Sequence, residues 1–214
     1  MPTTDTKPIY VLHGKDAHLR DDARRQIVSR AIGDADPQLC VSSLDATAEL
    51  VDVLDELRTL PFLAPHRVVI VREAEAFVSA NREALETYFD APVTTATLLL
   101  EVSTWPSNTR LAKKLKTVGE LIDCSSPEGE KLLGWIRSAV EAQGKTIAPD
   151  AANLLAEWIG ADLTLLTSEI DKVVTYIGTN ARITAQDISA VVTATASPEA
   201  FAVTNAITNG EVRA

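Results

Sequence analysis

The chain has 214 residues, of which 46% are hydrophobic and 23% are charged, so it contains enough apolar material for one large core or two smaller ones. Twenty basic residues against 30 acidic residues give a formal net charge of -10. This charge argues against a surface that wraps nucleic acid or an anionic membrane on its own, and it favours a protein partner.

Five short apolar runs in the first 125 residues predict β-strands. They are IYVLH (9–13), LCVSSL (39–44), RVVIV (67–71), TLLLEV (97–102) and ELIDC (120–124). Amphipathic helical patterns alternate with the strands, one over residues 17–32 behind Asp16 as N-cap and one over residues 46–60 behind Asp45. Strands that alternate with helices predict a three-layer α/β domain with a five-stranded parallel sheet over residues 1–125.

The pattern changes after residue 125. From residue 128 onward no strand pattern is present, and the spacing of apolar residues predicts four helices, hence a small all-α domain over residues 126–195. Their expected boundaries are Gly144, Pro149, Gly160, Asp162, Gly178 and the Thr184/Asp187 capping box. A further helical pattern begins after residue 196 and is too short to pack well, so we expect that a C-terminal part is missing.

The stretch YVLHGKDAHLRDD, Tyr10 to Asp22, begins like a nucleotide-binding loop. A working loop has the pattern GxxxxGK[ST], in which glycines let backbone N–H groups surround the phosphates. If Gly14 and Lys15 close the motif, Asp16 stands where a hydroxyl should hold magnesium. If Gly14 opens it, Leu19 replaces the second glycine. Both alignments predict an inactive phosphate loop and no nucleotide cofactor.

A second ATPase element is also altered. After the strand VVIV a magnesium-binding aspartate and a catalytic glutamate would be expected, whereas this chain has Arg72 and Glu73. Two altered elements argue against hydrolysis, although an ATPase with a non-standard loop remains an alternative. His18, Asp21 and Asp22 share one helix face and could hold a metal, but a solvated first turn is far commoner. We therefore predict no metal and no catalytic residue.

The cysteines and the N-terminus predict a cytoplasmic protein. Cys40 and Cys124 are far apart and form no CxxC pattern, as expected of free thiols in a reducing cytosol. The N-terminal stretch MPTTDTKP lacks the features of a signal peptide, and no apolar run approaches the ~18 residues of a membrane span.

Three sets of residues resemble a known family. The first is Gly14, Asp16 and Leu19 in the altered loop, and the second is TLPFLAPHRVVIV, Thr59 to Val71. The third comprises Gly160, Asp162, Leu166, Glu169 and Lys172. Together they resemble the delta subunit of the bacterial DNA polymerase III clamp loader, a P-loop NTPase-like protein of the AAA+ group with a degenerate nucleotide site. No Ser-Arg-Cys triplet is present, which favours delta over the related delta-prime and ATPase subunits.

The resemblance implies a subunit that binds and opens the sliding clamp (beta clamp) during DNA replication without hydrolysing ATP itself. It implies a clamp-contacting AAA+ domain at 1–125, a helical lid at 126–195 and, at 196–214, the start of a truncated C-terminal collar. The implied partners are the sliding clamp, the ATPase subunit and delta-prime within the DNA polymerase III holoenzyme. DNA is contacted only through the assembled complex, and neither a cofactor nor a membrane is involved.

The resemblance assigns clamp binding to Phe62 and Leu63, with Leu60 in support. Pro61 and Pro65 restrict the backbone around them, so two large apolar residues are expected on a short stiff connection. A rigid aromatic anchor loses little entropy on docking. The alternative is that both side chains are buried beneath the adjacent strand, in a generic adaptor that binds some other protein.

A basic stretch, RLAKKLK, runs from Arg110 to Lys116. Four basic residues on about two helical turns could touch DNA inside an assembled loader. A solvated helix face is the commoner explanation in so acidic a chain.

Overall fold

The computed structural model describes residues 6–61 and 66–192. The chain divides into two compact units between Ser125 and Ser126. The first unit contains five parallel strands in the order β2-β3-β4-β1-β5. Their bounds are β1 Ile9–His13, β2 Val41–Leu44, β3 Arg67–Val71, β4 Ala96–Val102 and β5 Gly119–Asp123. The predicted five-stranded parallel sheet is confirmed.

Six helices connect these strands. They are α1 Ala17–Ile32, α2 Pro37–Cys40, α3 Leu50–Arg58, α4 Glu75–Ala80, α5 Arg82–Asp90 and α6 Arg110–Val118. The short helix α2 includes the first two residues of the predicted strand LCVSSL, because Asp36 accepts a hydrogen bond from the N–H of Gln38 and Pro37 stands at the first helical position. The strand therefore begins only at Val41.

One of the two predicted N-caps is confirmed and the other is wrong. Asp16 caps α1 by accepting a hydrogen bond from the N–H of Leu19. Asp45 does not cap α3, because its carboxylate accepts from the N–H and the hydroxyl of Thr47 and so forms a separate turn. The helix predicted over residues 46–60 is consequently shorter, with Glu49 as the residue before it and Thr59 after it.

Each face of the sheet carries its own apolar cluster. On one face, side chains of α3, α4, α5 and α6 pack against alternate residues of β1, β3 and β4, including Val69, Leu98 and Leu100. On the other face, α1 and α2 pack against the intervening residues, including Ile70 and Leu99. Burial on both faces explains why β4 is apolar almost throughout. The arrangement confirms the predicted three-layer α/β domain.

The second unit is built from four helices, as predicted. They are α7 Glu130–Ala142, α8 Pro149–Ile159, α9 Leu163–Ile177 and α10 Ala185–Val191. The expectation that no strand follows residue 128 is wrong in one detail, since β6 Thr146–Ile147 and β7 Arg182–Ile183 pair in parallel. Two residues are too few to give an alternating pattern, so the sequence carried no strand signal there. The helical pattern predicted after residue 196 lies outside the described residues.

Candidate functional site

The loop between β1 and α1 takes the place of a phosphate-binding loop, and its glycine is required for packing. Gly14 has a φ of 128°, in the region that favours glycine. A Cβ added to Gly14 would lie 2.2 Å from the carbonyl carbon of Cys124. Its N–H donates to the carbonyl of Val102 at 3.0 Å. The glycine thus allows the ends of β1, β4 and β5 to meet, and its amide is not free to bind a phosphate.

Two further amides of this loop are also engaged within the protein. The N–H of Asp16 donates to the carbonyl of Cys124 at 3.0 Å, and the N–H of Leu19 donates to Oδ1 of Asp16 at 3.0 Å. A helix N-terminus attracts phosphate through such amides and through its positive dipole end. Here a carboxylate only 9% exposed is already at that end. The structure brings Gly14, Lys15, Asp16 and Leu19 together in this loop, with Lys15 exposed.

Acidic side chains near the carboxyl ends of β3 and β4 are paired. Glu101, on β4, is 5% exposed and accepts a hydrogen bond from Nη1 of Arg24 at 2.6 Å. Glu75 accepts from the N–H of Ser103 at 2.5 Å and from its hydroxyl at 2.6 Å. Burial raises the pKa of Glu75, but the hydrogen bonds from Ser103, a backbone hydrogen bond of Glu75 itself and the charge of Arg20 together hold the pKa below the ordinary value. Both carboxylates are thus engaged in hydrogen bonds within the first unit.

The helix face considered for a metal is occupied by salt bridges and hydrogen bonds. Asp21 pairs with Arg24, while Asp22 pairs with Arg25 at 3.5 Å and accepts from Gln26 at 2.8 Å. No group of three or more potential ligands suited to a metal occurs among residues 6–61 and 66–192.

The proposed clamp-binding segment comprises Leu60, Phe62 and Leu63. Described residues on either side of it are hydrogen-bonded to each other. Glu56, in the last turn of α3, accepts hydrogen bonds from the hydroxyl of Ser42 at 2.6 Å and from Nε of Arg67 at 3.1 Å. Arg67 is the first residue of β3. The hydrogen bond from Ser42, together with the Arg67 guanidinium, lowers the pKa of Glu56. The end of α3 and the start of β3 are therefore joined through a charged pair.

A second contact fixes the chain where it enters β3. His66 is 8% exposed, and its Nε2 lies 2.9 Å from the hydroxyl oxygen of Thr97. That hydroxyl donates to the carbonyl of Lys7 at 3.0 Å, so it accepts from His66. Burial lowers the pKa of His66, which favours the neutral ring.

The segment itself begins with an exposed apolar side chain. Leu60 lies two residues beyond the end of α3 at Arg58, and it is 73% exposed. Pro61 follows and is half-buried. Phe62 and Leu63, the two residues predicted to contact the clamp, lie outside the described residues. Their assignment to clamp binding stays a prediction.

The basic stretch Arg110 to Lys116 forms most of α6. Lys114 is engaged within the protein, since its Nζ donates to Asp90 at 2.6 Å and to the carbonyl of Glu86 at 2.9 Å. Arg110, Lys113 and Lys116 are exposed. Only three of the four basic side chains are therefore available to a ligand.

No sequence pattern indicated the contacts at the ends of the segment that is predicted to bind the clamp. Glu56 and Arg67 belong to different elements, and Thr97 is 31 positions from His66. The one local signal for His66 is its position directly after the PFLAP stretch, from which no contact was predicted.

Sequence comparisons show which known proteins this chain is similar to. A sequence model described as "DNA polymerase III, delta subunit" matches residues 10–125, more than half of the chain. The chain is 24% identical to the DNA polymerase III subunit delta of Bacillus subtilis over 216 aligned residues, which cover 96% of this chain and 62% of the relative.

The structural comparison shows the fold. The chain matches the structure titled "Bacillus subtilis DNA clamp loader delta protein (YqeN)" with a TM-score of 0.79 and 23% identity, over 96% of this chain and 64% of the other. The two chains therefore share a fold, and the predicted α/β fold with a five-stranded parallel sheet is confirmed. The chain spans less than two thirds of the length of both relatives. None of the helices described here is long and apolar enough to cross a membrane.

Proposed function

The chain belongs to the DNA polymerase III delta-subunit family, and from that premise we propose that it binds and opens the sliding clamp within a clamp loader, without hydrolysing ATP. The proposed partners are the clamp, the ATPase subunit and delta-prime, and DNA is contacted only through the assembled complex. Residues 1–125 are proposed to contact the clamp and residues 126–195 to form the lid. The proposed location of the protein is the cytoplasm.

The exposure of Leu60 is the observation that carries this proposal. A large apolar side chain that is 73% exposed beside a proline, between a helix and a buried strand, is available to a partner. We propose that Phe62 and Leu63, which follow it, are the main anchors in an apolar pocket of the clamp. Buried aromatic anchors of this kind dominate many protein interfaces.

Two contacts support a pre-organised segment. The Glu56–Arg67 pair and the His66–Thr97 hydrogen bond fix the residues on either side of it. When the flanks of a binding segment are held in place, less conformational entropy is lost on docking. A partner therefore gains more affinity from the same apolar contact.

The closed loop between β1 and α1 supports a role without ATP hydrolysis. The N–H groups of Gly14, Asp16 and Leu19 are all donated to atoms of the protein. A phosphate would have to displace these bonds and would also meet the Asp16 carboxylate. The proposed subunit acts by mechanical complementarity to the clamp.

A fluorescence assay of clamp opening tests this function. The clamp of the same organism carries a self-quenching pair of dyes across one subunit interface. We expect the chain in excess to raise the fluorescence without nucleotide, and Mg-ATP to leave the signal unchanged. The Phe62→Ala, Leu63→Ala double variant should give no increase.

Three outcomes would contradict the proposal. Binding without a rise in fluorescence would reduce the chain to an adaptor, and a rise that requires Mg-ATP would favour the ATPase alternative. An undiminished rise with the double variant would move the contact away from Phe62 and Leu63.

A further inference from the structure

An open groove lies on the face of the sheet that α1 covers. Among residues 6–61 and 66–192, four helices cover the opposite face of the sheet, whereas this face has α1 and the single turn of α2. The groove, of about 560 Å³, is bounded by the C-terminal half of α1 on one side and by β2 and β3 on the other. All of its lining residues belong to the first unit. None of its described lining residues belongs to the altered phosphate loop.

The body of the groove is apolar. Val28 and Ile32 line it from α1, Val41 from β2 and Ile70 from β3. Successive side chains of a strand point to opposite faces of the sheet, so Val41 and Ser43 on β2 share one face. Ile70 and Arg72, at the end of β3, share that same face, because Ser43 pairs with Ile70. The floor is therefore continuous with the core beneath it.

One end of the groove is cationic. Arg72 follows β3, is exposed and has no ionic partner among residues 6–61 and 66–192. Arg25 faces it from α1, with a side chain 69% exposed and a long 3.5 Å contact to Asp22. Arg24 beside it is already neutralised by Glu101. The acidic lining residue Asp34 lies beyond the far end of α1, so the groove is positive at one end only.

We propose that this groove binds an extended segment of a partner protein that carries apolar residues next to an acidic one. From Arg24 to Gly33 α1 rises ~14 Å, which matches about four residues of extended chain. Among the described strands β2 pairs with β3 only, which leaves its outer edge open to backbone pairing. The apolar side chains fill the body of the groove, and the carboxylate meets Arg72 and Arg25.

Charge decides which partner fits. The chain as a whole carries a net charge of -10 and repels acidic proteins at long range. The cationic end beside the apolar floor is a local exception to this negative charge. It attracts a segment that is both acidic and apolar. A basic segment would place its charges against the two arginines and would be rejected.

Nuclear magnetic resonance titration of the full chain, labelled with ¹⁵N, tests the proposal. The probe is the peptide acetyl-Gly-Leu-Val-Asp-Glu-amide, and the matched control is acetyl-Gly-Leu-Val-Lys-Lys-amide. We expect the acidic peptide to shift saturably the amide signals of Val28, Ile32, Val41 and Ile70, and the basic peptide to leave them in place. Octanoate, a small amphipathic anion, should bind at least about tenfold more weakly because it cannot pair with β2.

Arg72→Glu should weaken binding of the acidic peptide by about tenfold or more, the effect of losing ~1.4 kcal/mol. Arg82→Glu, which makes the same charge change at an exposed arginine outside the groove, should have no effect. Arg25→Glu provides a second variant at a solvent-exposed helical position, where folding is not at risk. If the spectra of all three variants match the wild-type spectrum away from the substituted residue, any change in affinity reflects peptide binding and not a change in folding.

Several results would overturn the proposal. They are the absence of shifts with millimolar acidic peptide, equal binding of the basic peptide, and shifts confined to residues outside the groove. Undiminished binding by both Arg72→Glu and Arg25→Glu would also overturn it. Octanoate binding as tight as the peptide would replace the partner protein with a small amphipathic anion.

Discussion

The carboxylate of Glu56 accepts a hydrogen bond from Nε of Arg67 at 3.1 Å, and this contact joins the end of α3 to the first residue of β3. Ser42, on the edge strand β2, donates to the same carboxylate at 2.6 Å. The proposed clamp-binding residues lie between the two partners in sequence. A charged pair thus joins the described residues on either side of the segment that is predicted to bind the clamp.

This pair makes stability depend on pH. The pKa of Glu56 is lowered in the folded state, chiefly by the Ser42 hydrogen bond, so its contribution is present above the unfolded pKa of ~4.3 and is lost as pH falls through the folded pKa. Because the group is partly exposed, we expect Glu56→Gln to lower the free energy of unfolding at pH 7 by about 1 kcal/mol or less. The loss should shrink well below pH ~4.

Urea unfolding at neutral and at acidic pH measures this effect. Glu83→Gln, at an exposed glutamate without a described ion pair, is the matched control and should change stability little at either pH. A Glu56→Gln effect of equal size at both pH values would show that the charge of Glu56 is not what stabilises the contact.

Gly14 should not tolerate even alanine. An added Cβ would lie 2.2 Å from the carbonyl carbon of Cys124, and the φ of 128° is unfavourable to any side chain. We expect Gly14→Ala to destabilise the protein by about 2 to 3 kcal/mol. Gly134→Ala is the control, since Gly134 lies inside α7 with nothing near its Cβ position and should gain ~0.5–1 kcal/mol. Similar behaviour of the two variants in thermal unfolding would contradict the packing role of Gly14.

The thiols should be unreactive in the native protein. Burial, together with the neighbouring Asp123, raises the pKa of Cys124 to about 11, and burial also raises that of Cys40. At pH 8 only about one Cys124 thiol in a thousand is then ionised, and the thiolate is the reactive form. Ellman's reagent should detect no fast-reacting thiol before unfolding and two after it. Immediate reaction of one thiol in the folded state would contradict this burial.

Calorimetry with millimolar Mg-ATP should give no saturable heat. The reason is that the amides of Gly14, Asp16 and Leu19 are committed and a carboxylate stands at the start of α1. Lys15→Ala is the informative control, because Lys15 is exposed and its loss should not affect folding. Binding heat in the wild type that disappears in Lys15→Ala would revive the ATPase alternative.

Local patterns in the sequence predicted most of the fold because they report local physics. Apolar runs identified the five strands of the sheet, and Asp16 and Asp162 identified the starts of α1 and α9. Asp45 misled because an aspartate that caps a helix and one that closes a turn have the same local signature. The departure of Gly14, Asp16 and Leu19 from the phosphate-loop pattern is visible in the sequence, but the bonds from this loop to Val102 and Cys124 were not predictable from that stretch.

Contacts between distant residues were not predictable in this way. The pairs Arg24–Glu101 and His66–Thr97 join residues 77 and 31 positions apart. The groove beside α1 depends on which helices cover each face of the sheet, which no local pattern specifies. The assignment of Phe62 and Leu63 to clamp binding came from resemblance alone and stays a prediction.

The dissociation constant of the chain for the sliding clamp of its own organism, measured by surface-immobilised binding, tests the central claim most directly. We expect Phe62→Ala to weaken binding by about 2 to 4 kcal/mol, the usual size of a buried aromatic anchor. Leu60→Ala should weaken it less, and Leu39→Ala, at an apolar side chain 55% exposed elsewhere in the same unit, should leave it unchanged. An unchanged dissociation constant for the Phe62→Ala, Leu63→Ala double variant would contradict clamp binding through this segment.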